Sequence, residues 1–404
     1  MAIPLPRISI RTRMAARDTD EANRASSPLE LLFDLTFVVA VAQLARELGK
    51  YIEAGRGLEA IVPFVMVFFA IWWAWMNFSW FASAYDTDDV PYRLMTLVQM
   101  AGVLVLAAGV PASFEHQNFF GITLGYFIMR VGLVAQWSRA SIENPDGRAT
   151  AARYAIGVTV VQLGWLARLL LPTSAANQWW TVYLAFALLV ALEIAVPYWA
   201  ERPGMTSWHP HHIAERFGLF TIILLGEAIA VLAASTGAIV TAGDRVGPLV
   251  AVGVSALVVI FGLWWLYFLQ PTGDGLATHR SGSFFWGYGH YFVFAALGAF
   301  GAGIEVVTTF AGGHSTVAPA IAVASVSIPV ALYLVALIVA HARILPGISI
   351  HFWIVVPAAL LILALPFSAP ALGVPIAFGG AALVVALTVV ATLVLVRRKV
   401  RATQ

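Results

Sequence analysis

The stretch Ile61-Val-Pro-Phe-Val-Met-Val-Phe-Phe-Ala-Ile-Trp-Trp-Ala-Trp-Met-Asn-Phe-Ser-Trp-Phe-Ala-Ser83 runs for 23 residues without a charged side chain. As a helix it would span the hydrocarbon core of a bilayer, about 30 Å thick and matched by roughly 20 apolar residues. A helix apolar nearly all round has no face to offer water, so it belongs in lipid. Working outward from it, runs of the same kind recur almost end to end. Spans are expected near Leu29–Gly49, Ile61–Ser83, Pro91–Val110, Phe119–Trp137, Ala151–Leu171 and Trp179–Tyr198. Six more are expected near Ile213–Ser235, Gly247–Leu269, Phe284–Phe310, Val317–Ala340, Ile350–Pro366 and Val374–Val396.

Composition agrees. Of 404 residues 60% are hydrophobic and 11% charged, against roughly a quarter charged in a soluble domain. The fold class is therefore all-α, a polytopic membrane bundle of about twelve transmembrane helices. With no cysteine there are no disulfides, thiolate metal sites or cysteine nucleophiles, and a net charge of +2 gives no nucleic-acid signal. Residues 1–28 hold five arginines and no long apolar run, so they are expected to be a short cytoplasmic tail rather than a cleavable signal peptide. Residues 398–404 form a second, basic tail.

Positive charge is retained on the cytoplasmic side during insertion, which sets the orientation. With the N-terminus inside, the inner segments collect the tail arginines, Arg93, Arg139, Arg148, Arg153, Arg202, Arg280, Arg343 and the final basic cluster. The outer loops hold only Arg46, Lys50, Arg56 and Arg245. Both termini are thus expected on the cytoplasmic side of the membrane. Trp80, Trp137, Trp179, Trp180, Trp199 and Trp208 fall near span ends, where interfacial anchors sit.

An internal repeat is visible. Glu30-Leu-Leu-Phe-Asp-Leu-Thr36 resembles Glu215-Arg-Phe-Gly-Leu-Phe-Thr221, and Phe69-Ala-Ile-Trp-Trp-Ala-Trp75 resembles Phe261-Gly-Leu-Trp-Trp-Leu-Tyr267. Two pseudo-symmetric six-helix halves, 29–200 and 201–397, are expected, related by an axis along the membrane normal, with sites built where they meet.

Ionisable groups inside spans are costly and count as functional candidates. Glu30 and Asp34 share one face of the first span, where two acids raise one another's pKa and suit proton binding. In the second half His209-Pro-His-His-Ile-Ala-Glu-Arg216 leads into a helix bearing Glu227, eleven residues after Arg216 and on its face. His211 and His212 stand a turn before Glu215, a spacing compatible with a metal site or a proton relay, although a closed metal site needs further ligands. Arg130 on the fourth span is an available partner for Glu227. His290 and Glu305 lie on the ninth span. The inner loop with Asp86, Asp88, Asp89 and Arg93 is either a solvated acidic turn or a charge gate closed with Arg216. Trp73 and Asn77 on the second span and Gln99 on the third are candidates to line a substrate path, or else pack and bond across helices. No calcium-loop spacing, nucleotide-binding glycine motif, hydrolase elbow or zincin motif is present, so neither a cofactor nor ATP is expected.

At these residues the sequence resembles the bacterial low temperature requirement protein A family. The matching stretches are Glu30 to Val38, Asp86-Thr-Asp-Asp with Arg93, His212 to Glu227, and Gly289-His-Tyr with Gly-Ile-Glu305. The resemblance implies a multi-span bacterial membrane protein associated with growth in the cold, and it supplies no substrate.

Three functions compete. A secondary transporter of an unknown solute, coupled to protons or another cation, draws on the repeat and the buried acids, with Glu227 as proton carrier. A membrane enzyme acting on a lipid or prenyl substrate would use the aspartates and histidines to hold a metal. A non-catalytic component of cold adaptation needs neither. The bilayer is the one certain partner, and a homo-oligomer is compatible with all three.

Overall fold

The computed structural model describes residues 10–18, 21, 25–171, 179–242, 246–346 and 352–402, with side chains omitted at 179, 238–242 and 398–402. Among the described residues it is all-helical. The helices are α1 (Pro28–Glu53), α2 (Gly57–Tyr85), α3 (Val90–Glu115), α4 (Phe120–Glu143), α5 (Arg148–Arg168), α6 (Trp179–Ala200), α7 (Pro210–Ala242) and α8 (Val246–Phe268). A short α9 (Thr272–Thr278) and a single 3₁₀ turn precede α10 (Ser283–Gly312), α11 (Pro319–His341), α12 (Phe352–Leu372) and α13 (Val374–Ala402). Each expected span coincides with one of the long helices, with ends up to seven residues apart; Ile350, the expected start of the eleventh, lies outside the described residues. Between α8 and α10 the described residues add the short α9 and the 3₁₀ turn, which no span was expected to include.

Among the described residues eleven helices are long and apolar enough to cross a membrane. The exception is α5, which carries Arg148, Arg153 and Arg168. Its polarity is turned inward: Gln162, Trp165 and Arg168 are buried while Ile156, Val160 and Leu163 form the exposed stripe. That pattern, apolar side outward, is what a lipid-facing helix shows.

The chain falls into two compact units, Met1–Ala40 with Phe69–Ile213, and Val41–Phe68 with Ala214–Gln404. The last break falls after Ile213, where the sequence expectation put a boundary at 200. The difference is the hairpin 41–68, which the sequence reading assigned to the first half. It groups with the second because it packs on α10: the Tyr291 hydroxyl donates to the Val65 carbonyl at 2.9 Å, Gly298 lies against Val41, Phe64 and Phe68, and Ser315 donates to Glu53 at 2.6 Å.

In the first unit α3 packs on α4, α4 on α5, and α5 on α6. Small residues bring α3 and α4 into backbone contact; a Cβ on Gly109 would stand 2.7 Å from the Gly121 carbonyl carbon. In the second unit α10 packs on α11 just as closely, with Gly303 under the Ser325 carbonyl. Close approach over small residues is the usual glue between helices where lipid removes the hydrophobic drive. Two tryptophans expected at the interface are instead core residues. Trp137 stacks on Tyr154 at 4.2 Å, and Trp208 is buried edge-on to Trp80 at 4.9 Å. The side chain of Trp179 lies outside the described residues.

Candidate functional site

α1 opens with a capping box: the Glu30 carboxylate accepts from the Ser27 amide at 2.8 Å and the Ser27 hydroxyl from the Glu30 amide at 3.3 Å. The same carboxylate meets His212 Nε2 at 3.2 Å, 182 residues away in sequence and fully buried. One turn along, Asp34 is also fully buried and accepts from Trp75 Nε1 at 2.7 Å. The His209 amide donates to Ser83 at 3.0 Å. His211 is exposed, and among the described residues no three histidine, aspartate or glutamate side chains converge as a metal set would.

The loop after α2 divides its aspartates among three tasks. Asp88 forms an exposed pair with Arg93 at 2.8 Å. Asp86 pairs with Arg17 at 3.3 Å. Asp89 is buried, caps α3 by accepting from the Tyr92 amide at 3.0 Å, and receives Arg139 in a two-pronged grip of 2.8 and 2.6 Å. It also accepts the Thr12 amide at 2.9 Å, so both its oxygens are occupied. Burial works against its ionisation, but the bonds from Arg139, Thr12 and Tyr92 outweigh it and hold the carboxyl below its ordinary value. Residues 11–17 thus form a strap over this loop. The Met14 amide and Arg11 both bind the Glu143 carboxylate, at 2.7 and 2.9 Å, and the Arg17 amide bonds the Ala84 carbonyl at 3.0 Å. Arg139 counted in the sequence only as an inner charge and Glu143 not at all, because both lie more than 40 residues beyond the loop and the strap they bind.

Deeper in the first unit lies a cluster that the sequence reading half found. Arg130 is buried on α4, and its partner is Glu193 of α6, with Arg130 Nη2 3.2 Å from both oxygens. Glu193 further accepts from Trp73 Nε1 at 2.7 Å, the Tyr126 hydroxyl at 2.7 Å and Trp165 Nε1 at 3.1 Å. Tyr126 also receives a very short bond from Arg130 and presents its ring to the guanidinium at 4.4 Å. Arg130 Nε and Nη1 and the whole Gln162 amide have no bonding partner among the described residues. Glu193 was legible as the lone acid in an apolar run, by the rule that selected Glu227. Asn77 bonds back to the Trp73 carbonyl at 2.7 Å. Gln99 donates to Gln136 at 2.8 Å, which donates to Thr96 at 3.1 Å, joining α3 to α4.

In the second unit His290 meets a histidine the sequence reading passed over. His290 Nδ1 lies 2.8 Å from the Trp286 carbonyl and His341 Nδ1 2.8 Å from the Leu337 carbonyl, so each Nδ1 carries the proton. Their Nε2 atoms then accept, His290 from Tyr267 at 3.1 Å, and His341 from Trp286 and Thr272 at 3.2 Å each. Both rings are buried, neutral and saturated with donors, which suits a structural network better than a proton relay.

Glu227 on α7 and Glu305 on α10 behave differently. Both are partly buried, and among the described residues neither carboxylate makes a hydrogen bond or ion pair. Each lies within the electrostatic reach of Arg46 on α1, and Glu305 also feels Glu53 and Lys50. Glu305 packs on Gly49, where a Cβ would stand 3.2 Å from its Oε2. Arg46 itself leans on Gln43 at 2.5 Å. Glu215 is partly buried and Arg216 fully buried on the same helix as Glu227.

No solved structure matches this chain. An uncharacterized protein of Rhizobium meliloti (strain 1021) is 26% identical over 306 residues, 71% of each chain. The family model of the bacterial low temperature requirement A protein (LtrA) matches residues 25–394, nearly the whole membrane region with Asp34, Asp89, Arg130, Glu193, Glu227 and Glu305 inside it, and the chain belongs to that family.

Proposed function

We propose that the protein is a secondary transporter that couples movement of a solute to protons, with Glu227 and Glu305 as proton carriers within the field of Arg46. One observation carries this reading: two carboxyl groups in membrane helices, with no fixed partner among the described residues, share one arginine in their field. A carboxyl in hydrocarbon is charged when a cation is at hand and protonated when none is, so shifting Arg46 between them exchanges a proton. By contrast, Asp34, Asp89 and Glu193 are bound by strong donors and serve to hold helices in place. Glu30, His212 and the Asp86 to Arg93 loop then belong to the cytoplasmic end, consistent with the charge asymmetry that puts both termini inside.

The same reading takes the halves 29–200 and 201–397 as descendants of one six-helix repeat. Its support is the order of the matching stretches, with the aligned Trp75 and Tyr267 each bonded to a polar residue on the first helix of its half, Asp34 and Thr221.

Purified protein in liposomes with an entrapped pH dye tests it. A proton flux that responds to a solute library is expected, lost in Glu227→Gln and reduced at least about tenfold in Glu305→Gln, in line with an essential proton carrier. Full flux in both variants would sink the assignment.

A further inference from the structure

We propose that a cavity beside the α3–α4 turn binds an anion, a carboxylate or a phosphate, on the guanidinium of Arg168. The cavity, about 380 Å³, is lined by Arg168, His116, Asn118, Phe119, Phe120 and Val182 among others. That size suits a small ligand.

Arg168 ends α5 with 7% of its surface exposed. Its Nε donates to the Val182 carbonyl at 3.3 Å, and its buried Nη2 has no partner among the described residues. No carboxylate of the described residues pairs with it, and residues 172–178, Pro-Thr-Ser-Ala-Ala-Asn-Gln, contain no acid. Instead the rings of Phe119, Phe186 and Trp165 surround it at 5.1, 5.5 and 6.0 Å. Aromatic faces compensate a buried cation only in part, and a guanidinium withdrawn from water without a counter-charge is costly. Arg130 and Arg139, also buried in this unit, show the alternative, since they have Glu193 and Asp89.

A second feature favours negative charge at the same place. α4 starts at the cavity wall with Phe120, whose amide is capped by Asn118 at 3.0 Å. The amides of Gly121 and Ile122 precede the first intrahelical bond, made by Thr123 to Phe119, so the positive end of a 24-residue helix lies at the cavity wall. The site also communicates inward. Trp165, under the Arg168 guanidinium, donates to Glu193, so an anion there sits one side chain from the Arg130 cluster. Binding stands independently of transport; only the identification of the bound anion with the solute rests on the reading above.

The test uses the full-length protein in phosphatidylcholine nanodiscs, titrated with inorganic phosphate and with succinate while thermal stability is read. A parallel arm adds phosphatidylglycerol and counts retained lipids by native mass spectrometry. Saturable stabilisation by phosphate or succinate identifies a free anion, and retained phosphatidylglycerol without it identifies a lipid headgroup; either supports the site. Arg168→Gln is expected to weaken binding roughly 10- to 100-fold, the loss of a charge-assisted hydrogen bond. Should that variant not fold, Leu171→Glu at the cavity lining supplies a built-in carboxylate and is expected to abolish the response in folded protein. The proposal is overturned if the wild type responds to neither anion and retains no phosphatidylglycerol, or if either variant binds like the wild type. Binding without flux would leave the site standing and count against transport, while flux without an effect of Arg168→Gln on binding would do the reverse.

Discussion

Arg130 and Glu193 are the residues whose removal should be felt most. Their pair is buried on both sides, at 2% side-chain exposure each. Breaking such a pair strands a charge and costs about 3–5 kcal/mol, whereas replacing both members often costs little. Glu193→Gln is therefore expected to lower the melting temperature clearly, and Arg130→Met combined with Glu193→Gln to recover most of the loss. Thermal unfolding in a mild detergent reads both. Unchanged stability in the single variant would show that the pair does not hold α4 to α6. The contrast with Glu227 is one of neighbours. Glu193 accepts five hydrogen bonds, whereas Glu227 accepts none among the described residues and has only the field of Arg46. The sequence shows both as single acids in apolar helices, and which one is clamped depends on whether tryptophan and tyrosine from other helices happen to face it.

At the scale of elements, the strap of residues 11–17 depends on the charge of Asp89. Because the folded carboxyl titrates below its ordinary value of 3.8, its bonds to Arg139 and the strap contribute fully at neutral pH. The contribution fades as pH falls through and below that value, since protonation removes the charge that Arg139 and Thr12 bind. The protection of the Thr12 and Met14 amides against hydrogen exchange, measured relative to the intrinsic rate at each pH, should accordingly fall at acid pH. Asp89→Asn should give the fast Thr12 exchange already at neutral pH. Slow exchange of Thr12 in Asp89→Asn would show that the strap is held by Glu143 alone. The helices themselves were legible: twelve expected spans coincide with twelve long helices, because a bilayer imposes a length and an apolarity that composition alone reports. α5 was legible by length and not by apolarity, since its polar residues turn inward. The strap was not legible, because extended chain tied down by distant side chains leaves no periodic signal.

For the whole molecule, the absence of cysteine allows the orientation to be read directly. Single cysteines at the exposed Arg56 and Glu115 are expected to react with an impermeant maleimide in intact cells. Cysteines at the exposed Asp146 and Arg202 should react only after the cells are opened. Reversal of this pattern would invert the charge argument and place the Arg168 cavity on the cytoplasmic side. Sequence by itself determined the helical membrane class, the approximate positions and lengths of the long helices, the family, and a short set of acids worth testing, because lipid penalises polarity residue by residue. Only the tertiary structure decided that Arg130 belongs to Glu193, 63 positions away, that the 41–68 hairpin packs with the second unit, and that Arg168 faces a cavity without a counter-charge. Partners of that kind are chosen by which helix faces which, and helices of similar apolarity carry almost no trace of that choice along the chain.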